Sequence, residues 1–321
     1  MLNPKEVHIE GDFWDTILNN NILYLWTMDG TLRSFDWRKI KEISNGVDRL
    51  MITMSDLMKY ESFNAIHDMD TLPSDIDIYN DNLYMTMDDG LFEYPLFNEN
   101  YRNIKYGQLS GTPFLRLSIR RNGRIALSAG EEGLFEYNIL KLKNWKSWDI
   151  KETEPNLYHL STQHSLSANW IYSSIYSNSN KYPSYLAGYF WDRGQIRYNH
   201  IINEDTIFRD YSGQISWVYD GYIYKATNEG IVSVKYHQQQ QRFGDIKHIS
   251  FQPWKGRILS ASAAPFGSVI ECVNALVIMK NEYEFLNLPG EVSRWRIFSK
   301  DNLYSNYLNI VYEDKVSIYM F

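Results

Sequence analysis

Gly90-Leu-Phe-Glu-Tyr94 and Gly133-Leu-Phe-Glu-Tyr137 are the same five residues in the same setting. Leu83-Tyr-Met-Thr-Met-Asp-Asp leads into the first copy, and Ile125-Ala-Leu-Ser-Ala-Gly-Glu-Glu into the second. Apolar and polar residues alternate on both sides of an acid–glycine step, which reads as strand, tight turn, strand. A pentapeptide that returns in context marks an internal repeat. Outward from these two copies, the phrase recurs at Ile22 to Trp37 around Asp29-Gly30 and at Tyr222 to Tyr236 around Glu229-Gly230. Weaker copies are Ile171 to Trp191, with the longer polar loop Ser177 to Pro183, then Ser268 to Met279 and Leu308 to Phe321.

The hairpin turns fall near positions 30, 90, 133, 180, 230, 274 and 314, spaced 60, 43, 47, 50, 44 and 40 residues apart. A period in the forties with about four strands per unit is the mark of propeller blades. Phe114 to Ile119, Gln214 to Val218 and Val292 to Ile297 are expected as innermost strands, and Ile246 to Ser250 and Tyr283 to Asn287 as outermost ones. Seven hairpins predict seven blades of four antiparallel strands in a single domain over residues 1–321. The last repeat reaches Phe321 after its third strand. The alternating run Glu6 to Glu10 is expected to supply the fourth, pairing the two ends of the chain and removing an open edge. Two connections break the period. Val47 to Thr71 reads either as outer strand plus loop or as a short helix, and Leu140 to Leu157 carries Trp145 and Trp148.

These repeats resemble those of the β-propeller superfamily. Tyr224-Lys-Ala-Thr-Asn-Glu-Gly-Ile231 and the stretch from Leu83 to Phe92 are similar to the regulator-type propeller repeat, which implies sensory or protein-binding roles. The likeness covers most of the chain as a period and about ten residues per blade as a motif. The Trp-Asp and Gly-His pairs of WD repeats, the paired glycines of kelch repeats and the sialidase aspartate box are absent from their expected positions. No family within the superfamily is assigned, because fold alone does not carry function.

Composition narrows the classes. The chain has 321 residues, 25 Tyr and 10 Trp, and aromatics suit pleated, half-buried surfaces. One cysteine, Cys272, allows no disulfide within the chain, as expected in a reducing compartment. Without a basic–apolar leader or a long apolar run, a cytoplasmic protein that does not span a membrane is expected. A net charge of −7 argues against general nucleic-acid binding.

Asp29, Asp88, Asp89, Glu131, Glu132, Glu229, Glu313 and Asp314 sit at the hairpin tips, while Arg38, Lys39, Arg120, Arg121 and Arg124 fall in the opposite turns. This predicts a non-catalytic propeller that binds a protein or peptide of basic character through acidic tips. The contact set is Asp88, Asp89, Glu131, Glu132 and Glu229, with Lys181, Tyr182 and Tyr185 from the long hairpin loop. Turn chemistry alone would also put Asp and Glu before Gly. The alternative function is an enzyme or small-ligand sensor with a polar site at the mouth of a central channel. No catalytic residue, metal ligand set or cofactor motif is identified. His67-Asp68-Met69-Asp70 with Asp75 and Asp77 lacks the calcium-loop pattern, the histidines lack zinc spacing, and no Gly-x-Ser-x-Gly elbow occurs.

Overall fold

Among the described residues the alternating stretches are extended, and most strands pair antiparallel with a strand near them in the chain. In the computed structural model the described residues are 2–68, 72–96, 107–139, 157–192, 195–299 and 301–321. They form seven sheets, the blades of a seven-bladed β-propeller. Blade one is Phe13–Asn19, Ile22–Thr27, Thr31–Asp36 and Glu61–Asp68. Blade two is Asp75–Tyr79, Asn82–Met87, Gly90–Pro95 and Gly107–Ser110. Blade three is Arg116–Ile119, Arg124–Ser128, Leu134–Asn138 and Leu157–Ser161. Blade four is Ser167–Ile171, Ser174–Asn178, Tyr185–Asp192 and Gln195–Asn203. Blade five is Gly213–Tyr219, Tyr222–Thr227, Gly230–His237 and Arg242–Ile249. Blade six is Ile258–Ala264, Gly267–Cys272, Ala275–Met279 and Phe285–Pro289.

Blade seven joins the two ends of the chain. Arg294–Ile297, Tyr307–Val311 and Lys315–Met320 are followed by Lys5–Glu10, antiparallel to the last of them from Lys5↔Met320 to Glu10↔Lys315. The expected terminal pairing is present. A fifth strand, Arg49–Ile52, then runs parallel to Lys5–Glu10. The two readings of residues 47–71 are both realised, because this strand is followed by the helical turn Met54–Leu57 and the outer strand Glu61–Asp68. Arg38 and Lys39, expected in a turn, lie in the helix Trp37–Ile43. Asp36 caps it by accepting the Arg38 N–H at 3.1 Å, and Trp37 and Ile40, three residues apart, are buried together. The connection 140–156 lies outside the described residues.

Two compact units make up the chain: Met1–Leu72, Ala226–Ile231 and His248–Phe321 form one, Pro73–Lys225 and Val232–Lys247 the other. In the first, Val7, Ile9, Leu23, Leu25, Phe35, Val316 and Ile318 share one core under the helix residues Trp37 and Ile40. In the second, Tyr84, Leu91, Leu117, Ile125 and Leu127 form one core, and Ala126, Leu134, Ile175 and Tyr185 another. Successive residues of one strand thus serve different cores, as a two-residue period requires. Within the second unit, Asp75 and Asp77 tie blade two to blade three. Their carboxylates accept the backbone N–H groups of Leu117 and Ile119 at 3.1 and 3.2 Å. These two acids therefore act as sheet staples. His67 to Asp70 fall outside the residues whose side chains are described.

The repeated glycines have a different cause from the one the sequence suggests. The acid–glycine step predicts two successive positive φ angles, but Asp29, Asp89 and Glu132 are not positive, whereas Gly30, Gly90 and Gly133 are at +89°, +142° and +92°. A single positive-φ glycine closes each tip. At Gly90 and Gly133 a β-carbon would lie 1.9 and 2.0 Å from the carbonyl oxygens of Ser110 and Ser161 on the outer strands. The identical pentapeptides begin with glycine because the fourth strand's backbone occupies that space. Paired positive φ occurs instead at the turns between first and second strands, at Asn20-Asn21, Asn80-Asp81 and Asp220-Gly221.

Candidate protein-binding surface

Hairpin tips of three consecutive blades in the second unit carry most of the expected contact residues. Asp88 and Asp89 are exposed at the tip of blade two, and Glu131 and Glu132 at the tip of blade three. The backbone beneath each pair is held from the outer strand. Gln108 Nε2 donates to the Asp89 carbonyl at 2.8 Å, and the His159 ring nitrogen Nε2 donates to the Glu132 carbonyl at 3.0 Å. The His159 ring in turn stacks on Phe135 at 4.4 Å. The Asp89 and Glu132 carbonyls are thus bonded from the outer strands, while all four acidic residues are exposed.

The blade-four loop is built around one hydroxyl. Ser179 Oγ accepts the N–H groups of Lys181 and Tyr182 at 3.2 and 3.1 Å and lies 2.8 Å from His164 Nδ1. A serine hydroxyl that takes backbone donors two and three residues on makes a local turn without a helix or sheet partner. The Tyr182 ring stands edge-on to His164, with centroids 6.0 Å apart, and is 59% exposed. Lys181 forms an ion pair with Glu131 that bridges the tips of blades three and four. The Lys181 hydrogen bond holds the Glu131 carboxyl below its ordinary value, and Glu131 raises the Lys181 ammonium. Both groups are exposed, so the pair orients the loop more than it stabilises the fold.

Tyr185 corrects the expectation. It is fully buried in the core shared with Ile175 and Ala187, and its hydroxyl donates to the Gln163 carbonyl at 3.1 Å. It is the first residue of the strand Tyr185–Asp192 and faces inward, so it offers no contact surface. Arg124 is corrected as well. Placed by sequence among basic turn residues, it is buried and paired with Glu136 at 2.5 and 2.8 Å. Glu229 is exposed at its own tip in the first unit, where its N–H donates to Thr227 Oγ1 at 3.2 Å.

Ser179, His164, Gln108 and His159 complete the surface and were not singled out by sequence. Ser179 had a local signal, a hydroxyl two residues before a lysine in a polar loop. The other three act across strands and leave no mark in their own neighbourhood.

No family model matches the chain, and no curated protein matches it in sequence. Solved structures match in fold. The WD40 β-propeller domain of Doa1 is similar over 96% of this chain and 92% of its own, with a TM-score of 0.56 at 11% identity. The WD40 domain of Neurospora crassa Pan2 is similar over 97% and 89%, with a TM-score of 0.52 at 7% identity. A computationally designed protein, Ika8, is similar over 98% and 99%, with a TM-score of 0.51 at 11% identity. At these identities the likeness shows the propeller fold and carries no activity.

Proposed function

We propose that this propeller is a non-catalytic interaction module that binds a protein or peptide of basic character at the hairpin tips of the second unit. One observation carries the reading: an exposed tyrosine, Tyr182, is fixed in place by Ser179 and His164 in a loop whose Lys181 is paired with the Glu131 carboxylate. A rigid aromatic anchor with a charged rim is the usual anatomy of a contact surface. Asp88, Asp89, Glu131 and Glu132 supply the charge that steers a basic partner, Tyr182 the apolar contact, and Lys181 the link between two tips. A cytoplasmic location fits the single buried thiol, Cys272.

Affinity capture followed by mass spectrometry tests this, using the whole chain and the variant D88N/D89N/E131Q/E132Q in parallel. The variant should melt like the parent and lose a basic partner that the parent retains. Tyr182→Ala should lose it too. Because exposed charges are screened beyond about 8 Å at physiological salt, raising the salt should slow association first. A partner retained equally by all three chains and indifferent to salt overturns the proposal.

A further inference from the structure

A cavity of about 300 Å³ opens in the second unit between Tyr172 and the segment Tyr236 to Gln240, with Tyr172 at the opposite end of the strand Ser174–Asn178 from the blade-four tip. Its lining is Tyr172, Tyr236, His237, Gln238, Gln239 and Gln240. Its size is at the lower end of small-ligand sites, about 300–1,000 Å³. The lining holds no carboxylate, ammonium or guanidinium. Aromatic faces, amides and an imidazole together offer flat apolar surface with both donors and acceptors.

The wall is built at a cost in conformation. Tyr172 lies in the turn between the first two strands of blade four, with φ +54° and 44% of its surface exposed. The corresponding turns of blades one, two and five use Asn20, Asn80 and Asp220, residue types that tolerate positive φ. A bulky tyrosine does not, and such departures collect at ligand sites. Its hydroxyl lies over Gly221, where a β-carbon would come within 2.0 Å of the Tyr172 oxygen. Across the cavity, Gln238 clamps the turn by accepting the Ser173 N–H at 3.1 Å and contacting the Ser173 hydroxyl. Gln241 closes the short helix Gln238–Gln240, again with positive φ, at +49°. Gln238 is therefore committed to the wall. Gln239 and Gln240 remain exposed beside the tyrosine ring.

We propose that this cavity binds a small neutral saccharide. The Tyr172 ring receives the C–H face of the sugar, and the amides of Gln239 and Gln240 with the His237 ring pair with its hydroxyls. A side-chain amide presents one donor and one acceptor side by side, the pattern that adjacent hydroxyls complement. An ionic ligand would find no fixed counter-charge in the lining.

Saturation-transfer NMR on the whole chain tests this against a panel of neutral sugars: glucose, galactose, mannose, N-acetylglucosamine, maltose and lactose, with N-acetylglycinamide as an amide probe. At least one sugar should bind in the millimolar range, with transfer strongest to ring C–H protons. Tyr172→Gly removes the platform and relieves the turn. It should bind about tenfold or more weakly while melting no lower than the parent. Gln239→Ala with Gln240→Ala, at exposed positions, should weaken binding as much and leave the melt unchanged. Failure of every sugar to bind, binding of the amide probe alone, or binding undiminished in both variants overturns the proposal.

Discussion

Two buried carboxylates, one in each unit, answer burial in opposite directions. Glu136 on the third strand of blade three and Asp15 on the first strand of blade one are both fully inaccessible. Burial raises Glu136, and the guanidinium of Arg124 at 2.5 and 2.8 Å together with the charge of Arg120 does not offset it, so its pKa ends above the ordinary value. Burial pushes Asp15 up as well, but two guanidiniums and a backbone donor outweigh it and hold its pKa below normal. Arg296 grips both oxygens at 2.7 and 2.6 Å, Arg294 reaches one at 3.3 Å, and the Thr16 N–H donates at 2.8 Å. The difference is one of coordination. Arg124 in direct contact and Arg120 by charge alone leave Glu136 above its ordinary value, whereas two guanidiniums and a backbone donor bonded to Asp15 hold it ionised.

The surroundings follow the same division. Arg124 and Glu136 sit diagonally across one hairpin, where Arg124 faces Asn138 and Glu136 faces Ala126. Arg124 also lies 4.7 Å over the Trp170 ring, so part of its support is not the carboxylate. Asp15 instead joins the first strands of blades one and seven, the two blades that follow one another through the terminal closure. Arg294 is steadied there over Trp14 at 4.2 Å.

The largest expected effect is at Asp15. Asp15→Asn replaces the charge that Arg294 and Arg296 share with a neutral amide and should destabilise the chain by about 3–5 kcal/mol, as breaking a buried ion pair does. Urea unfolding of variant and parent measures it. A loss as small as that of a surface change would show that Arg294 and Arg296 do not depend on this carboxylate. A smaller effect is expected at the other pair. Glu136→Gln should cost about 1–3 kcal/mol. The double change Arg124→Leu, Glu136→Met should recover most of that or exceed the parent, since an apolar pair of similar bulk avoids the desolvation of both ions. If the double variant is worse than the single one, the pair is better compensated than its raised carboxyl implies.

Acid titration distinguishes the two sites by slope. The stability Asp15 contributes is present above its unfolded pKa, about 3.9, and is lost as pH falls through its depressed folded value. Glu136 is the reverse: its contribution is complete below the unfolded pKa, about 4.3, and is lost as pH rises through the raised folded value. The stability gap between parent and Asp15→Asn should therefore widen from acid toward neutral pH, while the gap between parent and Glu136→Gln narrows. Unfolding at a series of pH values reads both gaps, and parallel curves would erase the distinction.

What the sequence by itself determined is periodic and local. The Gly-Leu-Phe-Glu-Tyr repeat, the spacing of hairpins and the alternation around them are short-range patterns, and they specified seven blades, the middle hairpins and the terminal pairing of Glu6 to Glu10. The exposed tips were also legible, because acids before glycine in a turn have nowhere to go but solvent. Tertiary structure decided what depends on residues far apart. The repeated glycines serve a carbonyl on the fourth strand, which a two-residue turn cannot reveal. Tyr185 is core and Tyr182 is surface although only two residues lie between them, since strand direction at Tyr185 is set by its partners in blade four. Asp15 finds Arg296 from 281 positions away. Tyr172 stands strained beside Gln238 only because blades four and five bring their turns together within the second unit. Charge, burial and strain at these points are sums over neighbours that only packing supplies, and no reading of local propensity contains them.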